Sequence, residues 1–173
     1  AEFMDAAARL RRVVKGQAER WPRDSAAARQ RLYGLLYGCR AAVEEVLLQS
    51  SPATNPVEVA AVADASPNPG AEVHGVKIHS GDILVSRGGA ATSALIARGN
   101  DFPGNFSHIA LVHLDEKTKQ ISVVESHIES GVGVRPLEQY LADTKLRILV
   151  LRLRGDLPQL ATDPLLPHRA ASL

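Results

Sequence analysis

Apolar positions in the first fifty residues recur at three- and four-residue steps. Leu10, Val13, Val14, Ala18 and Trp21 share one face of a helix predicted over residues 5–21, with Asp5 placed to cap it and Pro22 to stop it. After a turn at Pro22-Arg23-Asp24-Ser25, Leu32, Leu35, Leu36, Cys39, Val43, Val46 and Leu47 mark a longer helix ending near Ser50. The two read as a helical hairpin. Gly34 and Gly38, one turn apart, admit close approach of another element. The period then breaks: Pro52, Pro56, Pro67, Pro69 and Gly70 fall among small residues, which predicts a linker or irregular crossing over 51–72. Val57–Val62 can be a short helix or a short strand within it.

From Val73 onward the pattern changes to that of strands, predicted over 75–78, 82–86, 107–114, 120–128 and 146–153. Short helices are expected at Ala90–Arg98, ended by Gly99, and at Pro136–Asp143. Strands packed on helices predict an α+β domain over 73–173, preceded by the hairpin of 4–50. Ala1-Glu2-Phe3 reads as a cloning remnant before Met4, the expected native start.

Composition narrows the class. The chain of 173 residues, 45% of them hydrophobic, can bury a sizeable core. Twenty basic against nineteen acidic residues give no electrostatic reason to expect nucleic acid or an anionic membrane. One cysteine, Cys39, excludes an intramolecular disulfide and a Cys-rich zinc site. No apolar run is long enough to span a membrane, and residues after Met4 lack a secretory signal, so a cytoplasmic location is favoured if Met4 is the start.

His108 is the first candidate for chemistry. Alternation puts it on the strand face of Ala110 and Val112, where an imidazole is largely desolvated and can act as a general base if a carboxylate orients it. Glu125 is the candidate for that carboxylate. A four-residue turn at Asp115-Glu116-Lys117-Thr118 would set His108 directly opposite Glu125, and an odd-length loop would separate their faces. The alternative is a core histidine with Glu125 as its hydrogen-bond partner. His127 shares the face of Glu125 as a site-edge residue or substitute orienting group. His74 and His79 could join His113 or His127 around a metal only if the fold gathered them, and surface or satisfied histidines are the expectation. No cofactor or metal is expected. Gly88-Gly89 could direct backbone amides at an oxyanion, but a plain strand-to-helix turn is favoured.

Gly81-Asp82-Ile83-Leu84, the Ala90–Arg98 helix, Ser107-His108-Ile109-Ala110, Val123-Val124-Glu125, Gly131-Val132 with Pro136-Leu137, and Leu149–Arg154 together resemble the NlpC-type papain-like superfamily. The closest branch is the circularly permuted one, the YiiX/YebB-like proteins related to lecithin retinol acyltransferase. The likeness covers roughly residues 75–154. It implies an antiparallel papain-like sheet, His108 as base, Glu125 as orienting residue, and a cysteine that attacks an amide or ester of a peptide, peptidoglycan or lipid. In the permuted branch that cysteine follows the histidine strands at a helix start. Pro167–Leu173 reads as such a helix cut short, so the expectation is a fragment, inactive alone, whose nucleophile lies outside this chain.

Two other readings stand beside this one. An unpermuted NlpC-type peptidase would use Cys39, but Tyr37-Gly38-Cys39-Arg40 sits deep in a helix on its apolar stripe, away from the helix N-terminus that favours a thiolate. A binding module or pseudo-enzyme would keep the fold without the chemistry. The N-terminal helices could cover the cleft or pair with another subunit, but simple packing on the sheet is favoured; the chain could form a homo-oligomer or pair with a missing C-terminal segment.

Overall fold

The computed structural model describes residues 2–22, 24–50, 65–99 and 105–172. Contacts divide the chain into two compact units, Ala1–Pro56 and Val57–Leu173. Val57–Val62, open between helix and strand in the sequence, lies outside the described residues.

The first unit is a hairpin of α1 (Glu2–Ala18) and α2 (Ala26–Gln49). Ser25 caps α2 through its side chain, which accepts from the Ala28 amide, and the Ser50 amide closes the far end on the Val46 carbonyl. The helix α1 starts earlier than the sequence suggests, so Asp5 lies in its first turn rather than at its cap. Glu2 and Phe3, set aside in the sequence reading, belong to that turn.

The second unit opens with a two-stranded hairpin, β1 (Gly70–Val73) and β2 (Val76–His79). His74 and Gly75 both have positive φ, 49° and 78°, the requirement of a two-residue type I′ turn. That turn displaces the start of the predicted 75–78 strand, and β1 takes its first residues from the stretch expected to be linker. A five-stranded antiparallel sheet follows in the order β6-β5-β4-β3-β7. It comprises β3 (Ile83–Gly88), β4 (His108–Leu114), β5 (Ile121–His127), β6 (Gly131–Pro136) and β7 (Lys145–Leu151). Short helices are α3 (Ala91–Arg98), α4 (Leu137–Ala142), α5 (Pro158–Thr162) and α6 (Leu166–Ala171). The fold class is α+β, consistent with a papain-like fold.

One face of this sheet carries the core. Leu84, Ala110, Val112 and Val123 alternate inward and pack with Ile78 from β2 and with Leu137 and Tyr140 from α4. Gly81, between β2 and β3, has φ +89° and lies so close to Pro167 of α6 that a β-carbon would sit 2.3 Å from the proline Cβ. Asp82 follows it, buried, and accepts from the His79 amide and from both Arg152 Nε and Nη2 at 2.7–2.8 Å. The Gly-Asp opening of β3 is thus a structural clamp. Among the described residues, no helix is long and apolar enough to cross a membrane.

Candidate active site

The β4–β5 register decides whether His108 and Glu125 meet. Leu114 pairs with Ile121 and Ala110 with Glu125. The Asp115 amide donates to the Gln120 carbonyl, so the four-residue loop runs over 116–119, one position later than predicted. The cause is local. Asp115 Oδ1 accepts from the amides of Lys117 and Thr118, both at 2.8 Å, and Lys119 takes φ 60° to return the chain. The predicted direct opposition of His108 and Glu125 is therefore corrected: Glu125 faces Ala110 and reaches His108 diagonally. The loop keeps an even length, so both side chains remain on the same face.

His108 Nε2 lies 2.7 Å from Glu125 Oε2. The imidazole is one-quarter exposed, more open than its apolar strand implied, whereas Glu125 is only 3% exposed. With the carboxylate accepting an Nε2–H, the neutral ring carries its lone pair on Nδ1. Glu125 Oε1 faces two further groups, His127 Nε2 at 3.0 Å and Arg135 Nε at 3.4 Å. The His127 contact is close but poorly aligned, and this buried nitrogen makes no hydrogen bond. Burial is the largest single influence on the Glu125 carboxyl and raises its pKa. The contacts and charge of His127 and His108 outweigh it, leaving the carboxyl below its ordinary range.

Ser86 and Tyr140 complete the surroundings. Ser86 is directly across the β3–β4 ladder from His108, and the Tyr140 ring lies 6.4 Å from the imidazole. Burial raises the Tyr140 hydroxyl; a nearby Ser86 hydroxyl acts in the opposite sense, although neither oxygen has a well-aligned hydrogen bond. Ser86, Arg135 and Tyr140 were not anticipated from the sequence. The strand parity of Ser86 with Leu84 was the available signal for the first.

Other candidates are placed elsewhere. Among the described residues, the histidine–carboxylate cluster with donors close enough for a metal is His108, Glu125 and His127. His74 belongs to the β1–β2 turn, and His79 Nδ1 is engaged with the Asn68 carbonyl at 2.8 Å. The ring of His113 stacks on that of His168, which also meets Ser80 Oγ at 2.8 Å. The Gly89 amide donates to Thr144, so it is not directed at an oxyanion. Cys39 is in the other unit, midway along α2, where its thiol approaches the Ala7 carbonyl at 3.6 Å. A cavity of about 270 Å³ is lined by Asn68, Ser80, Asp82, Arg152 and Pro167 among others, and by none of the three clustered residues. Its polar groups are engaged in the clamp and in anchoring α6, whereas the titratable groups suited to proton transfer lie on the sheet face of His108.

The family model described as permuted papain-like amidase enzyme, YaeF/YiiX, C92 family, matches residues 77–166, just over half of the chain. The chain belongs to this family. No curated protein and no solved structure matches it. The YaeF/YiiX match takes in all five strands of the larger sheet with His108 and Glu125, and lies wholly within the second unit. This is a hydrolase-like domain of an amide-acting family.

Proposed function

We propose that this protein is a cysteine-dependent amide hydrolase in which His108 is the general base and Glu125 the orienting residue. The observation that carries the reading is the 2.7 Å contact of Glu125 with His108 Nε2 on a sheet matched by an amidase family. Glu125 fixes the Nε2–H tautomer, and His108 Nδ1 takes the proton of the attacking thiol. The thiolate adds to the amide carbonyl, the protonated imidazole gives its proton to the departing amine, and a thioester forms. Water, deprotonated by the same Nδ1, then releases the acid and regenerates the thiol. Hydrolysis is preferred over transfer to a second acceptor, and peptide, peptidoglycan and lipid amides are the substrate classes to try first.

The thiol is proposed to come from outside residues 1–173. In the permuted branch it follows the histidine strands, whereas Cys39 precedes them and occupies a mid-helix position in the first unit. The test is turnover of a panel of peptide and acyl amides by the protein expressed from its uninterrupted reading frame. His108→Ala should lower kcat/KM by about 10²–10⁴-fold. Undiminished turnover in that variant would remove His108 as the base. Ligand binding without turnover in the parent protein would favour the binding-module reading.

A further inference from the structure

Glu125 has more partners than an orienting carboxylate needs. His108 Nε2 and His127 Nε2 converge on its two oxygens, and one donor atom from each residue lies within 4.8 Å of the others. We propose that His108, Glu125 and His127 form a binding site for a divalent transition-metal ion of the zinc class, and that the bound ion switches off His108 as a base. The ion-binding part stands on geometry alone; the switching part rests on the function proposed above.

Two imidazoles and a carboxylate are a donor set suited to Zn²⁺. Ligand bonds of about 2.0–2.2 Å place donors up to about 4 Å apart around one ion, so only a small closing of the three side chains is needed. His127 Nε2 has no aligned hydrogen bond to give up. Gly133 stands opposite Glu125 on β6, and a β-carbon there would meet nothing within 4 Å, so the strand beside Glu125 is open on that side. Arg135, 3.4 Å from Glu125 Oε1, opposes a second cation, but its side chain is 40% exposed and can swing toward solvent.

The switch follows from the tautomer. As a base, His108 carries its proton on Nε2, toward Glu125, and its lone pair on Nδ1. As a ligand, it must offer the Nε2 lone pair, so the proton of the neutral ring resides on Nδ1. An Nδ1–H cannot accept the proton of a thiol. The exchange moves one proton between ring nitrogens through solvent, with no net uptake or release by His108.

The test is titration of the full 173-residue chain with Zn²⁺ in competition with a chromophoric chelator, and with Co²⁺ to read coordination from its visible absorption. One ion per chain is expected, with Co²⁺ bands of a four- or five-coordinate site. His127→Ala and Glu125→Gln should each weaken binding about tenfold or more, and His113→Ala should leave it unchanged. Thermal melts identify a variant that fails to fold, and His127→Gln, closer in size, then serves instead. Absence of saturable binding would overturn the inference, as would wild-type affinity in both His127 variants, or loss of affinity on His113→Ala alone. Where turnover is measured, Zn²⁺ should inhibit it and chelation should restore it. Full activity at saturating Zn²⁺ would overturn the switch. No ion binding in an enzyme inactivated by His108→Ala would sink this inference and leave the base intact; saturable binding in an enzyme indifferent to His108→Ala would sink the base and the switch, leaving the ion site.

Discussion

A carboxylate on the covered face of a sheet needs partners to replace its lost water, and Glu125 finds three, His108, His127 and Arg135. Its folded-state pKa is below the usual carboxyl value. The stability this provides is present above the unfolded-state value of about 4.3 and is lost as pH falls through the folded value. Urea unfolding from pH 7 to pH 3 should therefore show wild-type protein losing its advantage over Glu125→Gln on the acid side of pH 5. Parallel acid limbs in the two proteins would show that Glu125 does not titrate with folding. The exposure of His127 and Arg135 admits solvent screening, so the effect should be modest. That the pair would meet was legible, because facing depends only on the parity of the loop. Its diagonal geometry was not, since one aspartate side chain bonding two amides moved the loop by one position.

Elements with a strong period were equally legible: both long helices, β3, β4, β5 and β7 follow from apolar spacing. Two strands were missed for identifiable reasons. The strand β1 is four residues long and sits among prolines and glycines, and its turn uses His-Gly where Asn-Gly is the familiar signal. The edge strand β6 carries Gly131 and Gly133, and its first four residues are exposed, so no alternation of burial marks it. The Gly-Asp motif was recognised, yet its role is visible only in space. Asp82 reaches across 70 positions to Arg152, just beyond β7, and thereby ties β3 to the chain leaving the sheet. Asp82 is 2% exposed, so replacing it removes the buried carboxylate that accepts from two Arg152 nitrogens and leaves the guanidinium its bond to the Lys77 carbonyl. Asp82→Asn should cost about 2–3 kcal/mol in urea unfolding. A loss below about 0.5 kcal/mol would show that the ion pair contributes little to the tie.

At the scale of the molecule, the family match and the division into units agree on where the amidase-type sheet lies. Residues 77–166 fall within Val57–Leu173, and Cys39 falls outside both ranges. The order of residues in the chain could not by itself separate a permuted from an unpermuted enzyme, because Cys39, His108 and Glu125 also fit the unpermuted order. The family match is to permuted amidases, and the position of Cys39 in the helix is in keeping with it. A nucleophilic thiol benefits from a helix N-terminus, where unpaired amides stabilise its anion; Cys39 lies more than three turns into α2, far from that end, and its thiol meets the Ala7 carbonyl. Cys39→Ala in the protein from the uninterrupted reading frame should therefore keep kcat/KM within about twofold, with a stability loss of about 1 kcal/mol or less from the vacated volume. Alkylation gives an independent view, since a thiol-selective reagent that abolishes turnover in Cys39→Ala acts at a group other than Cys39, which mass spectrometry of the modified protein identifies. If Cys39→Ala instead removed turnover while the protein stayed folded, the attacking sulfur would be Cys39, and the permuted assignment of the nucleophile would fail.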